Sequence, residues 1–589
     1  MKQISFFFTF LLITLTPVFA QNWLWSQSTG NVKSDKATSI KTDSLGYVYV
    51  SGYFSTSITL GTNAYLLNFT GSDQSKEAFL AKFDSTGYCL WARSGGQYWD
   101  DRVLGMAVDK LGNSVITGTF WEGSGINFGG NYITGNAFGG GDQCFLVKHD
   151  KDGNFLWGNF VCSDNGDDQG LDVAIDKIFG DVYVAGFMSG DTLYVGGSAV
   201  KVLKVGTNYE DNCYFLAKFN SAGQPQWGRT FGNLPWDTLH NKYAERDIAV
   251  CTDDKGGIYV AGGYDHTRQF GNTTLSTQGG YDIFVIKYDF LGDFKWAKSG
   301  GSRKDDWCNG ICSDKRGSIY ITGEHRDSLV MDTILVKNYD KRDAFVIKME
   351  AKAGRTIWGK RAGSVLGSER GNDVYADTAC NVYVCGDIQG GAQFGDSITV
   401  PLGGGLQSFV ARITYKGKWK WVTTGGGADD DDRANAITKG LGDNLYTCGF
   451  FRSDATYGGT THVSVGSSDV FFARLKDTLY SSYCPIPVQP VSTQHTYIPQ
   501  FSVPNAFTPN NDGNNDYFSF ETGEFEQIDF KIFNRLGEIV YQSKNLNGRA
   551  WDGTYQGRTC PEGVYRYVIL ATKIDGKQGL QQGTITLIR

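Results

Sequence analysis

One short pattern occurs seven times along this chain, and a repeat constrains a fold more tightly than composition does. It reads as a small residue, then Val/Ile-Tyr-Val-x-Gly, then Phe-x-x-Lys-x-Asp, then Trp. The first part ends at Gly52, Gly118, Gly186, Gly262, Gly323, Gly386 and Gly449. The basic residue follows at Lys82, Lys148, Lys218, Lys287, Lys348, Arg412 and Arg474. A Trp comes nine residues later at Trp91, Trp157, Trp227, Trp296 and Trp421, and ten later at Trp358. The glycines are 61 to 76 residues apart, longer than most solenoid repeats.

In the second unit, Met106–Asp109 and Ser114–Gly118 are short β runs about the turn KLGN. A hairpin-like excursion, INFGG with NYIT, follows. Cys144–Asp150 and Asn154–Phe160 flank the turn KDG. Short apolar runs bounded by Asp-Gly and Gly-Asn turns are hairpin signals. Four antiparallel strands per unit, repeated radially, make a propeller blade. The chain from residue 21 begins with a Trp strand, around Trp25, that lacks a preceding Lys strand. The repeats end on VFFARLKD, a Lys-type strand without its Trp. We expect the two to pair and close the seventh blade, with Tyr483 as a local alternative. The expected fold is all-β: a seven-bladed β-propeller over residues 21–478, closed by an N-terminal strand. A linker at 479–499 and a small Ig-like β-sandwich at 500–589 follow.

The remaining composition narrows the function by exclusion. The net charge is −7 and no basic run exists, so nucleic acid is not an expected partner. Residues 1–20 read as a secretory signal, with Lys2 ahead of an apolar core and Val18-Phe19-Ala20 at the cleavage site. No later segment is apolar enough to span a bilayer. Of twelve Cys, Cys385 and Cys448 stand where other repeats carry Ser, Ala or Thr, and read as small buried hydrophobes. Some disulfides remain open, with pairing not deducible. No metal-ligand spacing, GxSxG, HExxH or P-loop occurs, and we expect no enzyme. Of the scattered histidines, His266 and His325 follow equivalent strand ends in adjacent units.

Recurrence in equivalent slots assigns Trp25, Trp91, Trp157, Trp227, Trp296, Trp358 and Trp421 to packing between blades. The pairs Asp101-Arg102, Glu245-Arg246, Glu369-Arg370 and Asp432-Arg433 read as supports of the fold. Asp429 to Asp432 reads as a solvated loop with a weak calcium alternative. Function is sought where the repeat breaks. The first three units lengthen the Gly-to-Lys interval to 30–32 residues, against 25 or 26 elsewhere. Between Trp227 and Gly262 an added segment carries Trp236, His240 and Tyr243, the candidate binding residues.

The repeat, with Asp282–Asp289 and Asp343–Lys348 matching best, resembles the SBBP-type β-propeller repeat of exported bacterial proteins. That resemblance covers residues 21 to about 478 and implies a scaffold without catalytic residues. Arg412 and Arg474 depart from its Lys. The C-terminal segment resembles the gliding-motility-associated, type B sorting domain of the type IX secretion system. The resemblance rests on Pro504, Asn505, Phe507, Pro509, Asn510, Asp512 and Gly513, then Asn534, Arg535, Trp551, Asp552 and Gly553, then Gly563, Tyr565 and the closing Arg589. It implies export through the outer membrane, with the translocon as partner. Asn510, Asp512, Asn514 and Asp516 also resemble half of a calcium loop, without the bidentate Glu; an Asn/Asp/Gly turn explains them without metal. No other cofactor is expected. The leading expectation is a surface protein that binds or adheres to a carbohydrate or another surface protein. A hydrolase or lyase, and a structural part of the surface or gliding apparatus, are the alternatives.

Overall fold

A computed structural model describes residues 21–589 except 62–63, 68–74, 98, 122–124, 136–140, 165, 178, 191, 201–211, 235–247, 340, 397, 402–403, 428–430, 482–483, 485–501, 511, 521–524, 535–538, 545–550, 556 and 574–577. The signal expected at residues 1–20 lies outside these. Among the described residues there is no helix, so none long and apolar enough to cross a membrane.

Up to Asp477, seven sheets are each built on four antiparallel strands, and three of the seven add a two-stranded hairpin to make six. In the second, Arg102–Val108, Ser114–Trp121, Asp142–His149 and Phe155–Ser163 lie side by side. The middle two strands of each unit are buried almost throughout, because both of their faces pack against neighbouring sheets. This is why they read as continuous apolar runs in the sequence. The last sheet takes its fourth strand from the other end of the chain. Gln21–Thr29 pairs antiparallel with Asp469–Asp477, setting Trp25 opposite Arg474.

The first strands of the sheets pack each against the next. They run Lys36–Thr42, Arg102–Val108, Gln169–Ile175, Ile248–Thr252, Asp306–Ser313, Arg370–Ala376 and Arg433–Lys439, and the last returns to the first. Side chains bond across these seams. Asn309 Nδ2 donates to Gly371 O at 3.0 Å and Asn372 Nδ2 to Ala434 O at 3.0 Å. Asn435 Nδ2 donates to Ala37 O at 2.9 Å and completes the circuit.

The hairpin between the second and third strands serves the preceding sheet. Leu193–Val195 pairs with Phe155–Ser163, Leu329–Met331 with Phe294–Gly301, and Gln393–Phe394 with Thr356–Gly363. Each addition covers an otherwise open outer edge. A glycine on the outer strand makes room for the incoming side chain. A Cβ at Gly95 would lie 2.2 Å from the Phe128 ring, and one at Gly425 2.2 Å from Tyr457.

Because the strands alternate in direction, the loops fall into two sets at opposite ends. The turns joining strands one to two and three to four form one end, called here the turn end. The loops joining two to three, and each sheet to the next, form the crossover end.

The C-terminal segment has its own core, built on Phe507, Phe518, Phe530, Trp551, Tyr567 and Leu587. Its strands form a five-stranded sheet that includes Phe525–Phe533, Gly563–Lys573 and Gln578–Leu587, plus a two-stranded ribbon. A disulfide joins Cys380 to Cys484.

Candidate functional site

The repeat's Lys and Trp sit opposite each other on neighbouring strands and reach the same target. Lys82 pairs with Trp91 in register. Lys82 Nζ and Trp91 Nε1 both donate to the carbonyl of Lys151, in the next sheet's turn, at 2.9 and 3.1 Å. The same arrangement joins Lys148 and Trp157 to Ser221 O, and Lys348 and Trp358 to Tyr415 O. Lys287 reaches Ala351 O and Trp296 reaches Lys352 O. Arg474 and Trp25 reach Ser85 O across the closing seam. In the sixth sheet Arg412 and Trp421 meet on Asp477, which also accepts from Tyr383 Oη. Trp227 is the exception. Its Nε1 is buried without an acceptor, while Lys218 bonds Phe290 O.

Most of these indoles also cover a glycine of the turn they reach. A Cβ on Gly153 would stand 2.8 Å from Trp91, and one on Gly223 2.6 Å from Trp157. Both glycines have positive φ. Burial pushes the Lys82, Lys148, Lys287 and Lys348 ammonium groups down from their usual range, against the pull of nearby carboxylates. All these side chains are engaged in the fold.

At the crossover end a buried acid precedes the first strand of most sheets. Asp306 accepts from Ser302 N at 2.6 Å, and Glu369 from Ser364 N and Oγ at 3.0 and 2.9 Å. Asp168 accepts from Ser163 N and Oγ. Burial pushes these three carboxyls up to about 8. Asp432 belongs to this set and corrects the solvated-loop reading. It is fully buried, accepting from Gly427 N and Arg452 N. Asp431 stays at the surface beside Arg433 and Arg452. Asp429 lies outside the described residues, as does the pair Glu245 and Arg246.

Each of the described histidines has its own partners. His325 is buried, bonds Asp327 O through Nδ1 and is pushed down to about 4 by burial. His266 is exposed beside Asp265. His149 is buried between Phe128 and Phe155. His462 joins its hairpin to Ser26 and Ser28 of the closing strand. Trp236, His240 and Tyr243 lie outside the described residues, and Arg535 does too.

The sorting-motif residues, scattered in sequence, converge. Arg589 donates to Gly553 O at 3.0 Å and to Cys560 O, and its backbone N–H bonds Glu562. Trp551 packs between Phe507 and Tyr565, and Tyr565 Oη donates to Pro561 O at 2.6 Å. Gly553 has φ +75°, and a Cβ there would stand 2.8 Å from Leu587. Thr586 N bonds Asn505 O, seating the segment after Pro504 beside the last strand. Asp552 takes Thr554 N and Oγ1. In the Asn/Asp loop, Asp516 accepts from Asn510 N and Gly513 N, and Asp512 from Asn514 N and Asn510 Nδ2. These oxygens serve the turn itself.

Residues 501–587 match the family model of the CHU_C type IX secretion signal domain. The chain carries a type IX secretion signal. That signal marks a secreted, cell-surface protein and ties it to the type IX machinery. The chain is also similar, at 23% identity over 444 residues, to an uncharacterized WD repeat-containing protein of Acanthamoeba polyphaga mimivirus. That match takes in 62% of this chain and 31% of the relative, so the chain spans about a third of the relative's length. Among solved structures, PorZ, an essential surface component of the type IX secretion system of Porphyromonas gingivalis, aligns at 11% identity and a TM-score of 0.23. That alignment covers 95% of this chain and 82% of PorZ. The cobalt-substituted apocarotenoid oxygenase of Synechocystis aligns at 10% identity and a TM-score of 0.32, covering 80% of this chain and 95% of the enzyme.

One concave site uses side chains that the repeat does not. At the crossover end of the fifth sheet, Lys304, Arg326, Lys341, Arg342 and Ser368 line a cavity of about 460 Å³. A second cavity of about 480 Å³ shares Arg342 and Ser368 and continues to Gln389, Leu406 and Asp431. The basic residues come from three loops. Lys304 lies between the fourth and fifth sheets, Arg326 follows Ser318–His325, and Lys341 and Arg342 precede Asp343–Glu350. Sequence reasoning missed this site, because single basic residues in separate loops form no local pattern.

Proposed function

We propose that this chain is a seven-bladed β-propeller of the SBBP type with a small C-terminal β-sandwich, displayed at the cell surface as a binding scaffold. The closed circuit of first strands and the pairing of Gln21–Thr29 with Asp469–Asp477 support the propeller reading. The observation that carries the binding reading is the division of labour among polar side chains. The repeat's Lys and Trp and most of the buried acids support the fold. The cleft at Arg342 gathers cations that the repeat does not require. Rigid scaffolds place recognition on loops in this way. The protein is not an enzyme on this reading: His149 and His325 are buried and largely neutral near pH 7, and Asp168, Asp306 and Glu369 are committed to loop amides.

The test is saturable binding of the purified full chain to whole cells and to isolated surface polymers. A saturable, competable interaction is expected. Absence of any such interaction, together with turnover in a broad glycoside and ester hydrolysis screen, would overturn the reading.

A further inference from the structure

We infer that the cleft around Arg342 is a subsite for an oxyanion-bearing saccharide, a uronate carboxylate or a phosphate ester. The inference rests on the binding reading above and adds its ligand chemistry. Four basic residues line the cleft, Lys304, Arg326, Lys341 and Arg342, in a chain whose net charge is −7, and Arg370 joins them only through Glu324. Two carboxylates meet them. Glu324 is buried and accepts from Arg370 Nε at 2.6 Å and Arg342 at 3.3 Å. Asp305 lies 3.6 Å from Arg326, with both partly exposed. These pairs hold the three guanidinium groups of Arg326, Arg342 and Arg370 in place and leave a surplus of positive charge. Behind them Glu369 is pushed up to about 8 by burial, so it carries mostly a proton near neutrality. Asp343, pushed up to about 6 by burial, accepts from Tyr339 N at 2.9 Å.

The donor set suits an oxyanion. Guanidinium groups offer parallel N–H pairs that match carboxylate or phosphate oxygens. Arg342 Nε is buried without a hydrogen-bond acceptor. Lys304 and Lys341 are exposed, so their ammonium groups can follow a ligand. An aromatic pair adjoins Asp305, outside the cavity's own lining. Asp305 accepts from Tyr281 N at 3.2 Å, and the half-buried Tyr281 and Trp307 rings stack with centroids 4.3 Å apart. Aromatic faces next to cations fit a charged sugar better than a free ion. The volume of about 460 Å³ admits one or two pyranose rings.

The experiment measures equilibrium binding of the full chain to oligogalacturonate, a mannose-6-phosphate oligosaccharide and neutral dextran, at low and high salt. Binding of at least one charged probe is expected, weakened by salt, with dextran inert. The uronate and phosphate arms identify which oxyanion is preferred. The double variant K304A/K341A, which alters only exposed side chains, should weaken charged-probe binding about tenfold or more. Lys352→Ala, at the turn end, should leave it unchanged. Dextran binding as tightly as the charged probes, no charged probe binding, or an undiminished double variant would overturn the inference. If the wild type binds whole cells but no charged probe, the scaffold reading stands and only this subsite falls.

Discussion

At the scale of single residues, the repeat is explained by one contact made again and again. A Lys and a Trp on paired strands hold one turn of the next sheet, and a positive-φ glycine beneath the indole lets it approach. Trp91→Phe should remove the bond to Lys151 O and little packing, costing about 1 kcal/mol. Trp91→Ala should cost about 2–4 kcal/mol, since the indole is half-buried. Gly153→Ala adds a Cβ at φ +79° against that same ring and should cost about 1–3 kcal/mol. Urea unfolding midpoints would check all three, and Gly153→Ala equal to wild type would refute the account of the glycine.

The buried acids give a second residue-scale prediction. Asp168, Asp306 and Glu369 have folded values near 8, above the ordinary 3.8 to 4.5. The folded state therefore binds more protons than the unfolded state across that interval, and stability falls as pH rises through it. His149 and His325 are depressed to about 4 and act the other way below about 6.5. Between pH 6.5 and 8.5 the acids dominate, so Tm should fall. Asp306→Asn mimics the protonated form. It should already raise Tm at pH 6 and raise it further at pH 8.5, measured by differential scanning calorimetry.

At the scale of elements, the strand Gln21–Thr29 supplies the last edge of the circuit. Removing it exposes the ladder of Asp469–Asp477 and deletes the Trp25 contact with Ser85. Deletion of these nine residues should lower Tm and broaden the transition, with aggregation through the open edge. Unchanged cooperative melting would contradict the pairing. The C-terminal segment has an analogous lock. Arg589→Ala frees the carbonyls of Gly553 and Cys560 together and should both destabilise this segment and reduce export, scored as surface-exposed protein on intact cells.

The elements also show what the sequence could disclose. The four principal strands per unit were legible because each is a short apolar run with its own turn, and pairing within a unit is local. The attachment of each hairpin to the preceding sheet was not. Leu193–Val195 pairs with Phe155–Ser163 some thirty residues earlier, and no period marks such a partnership. The cleft was illegible for a related reason. Lys304, Arg326 and Lys341 each read as an ordinary solvated charge until the ring brings three loops together. Asp432 misled because three neighbouring acids suggested solvent, while its own position repeats that of Asp306 and Glu369.

At the scale of the whole molecule, the chain leaves the ring at a fixed point. Cys380 sits in a turn of the sixth sheet at the turn end, and its disulfide holds Cys484 there. Phe533 of the C-terminal segment meets Phe179, another turn-end residue, with ring centroids 5.9 Å apart. The cleft opens at the opposite end, away from this attachment. The other ten cysteines are thiols, buried or half-buried, so an oxidising compartment leaves them as they are. Native alkylation followed by mass measurement should find one disulfide and almost no label, and labelling after denaturation should find ten sites. The bond closes a loop across a separation of 104 residues, for which chain entropy suggests up to about 4–5 kcal/mol. Cys484→Ser should therefore lower the guanidinium midpoint of the ring, and adding reductant to the wild type should reproduce the shift. Reductant should leave the variant itself unmoved, because no second bond remains to be broken. A further shift in the variant would reveal another disulfide and would break the assignment of the ten thiols to the interior.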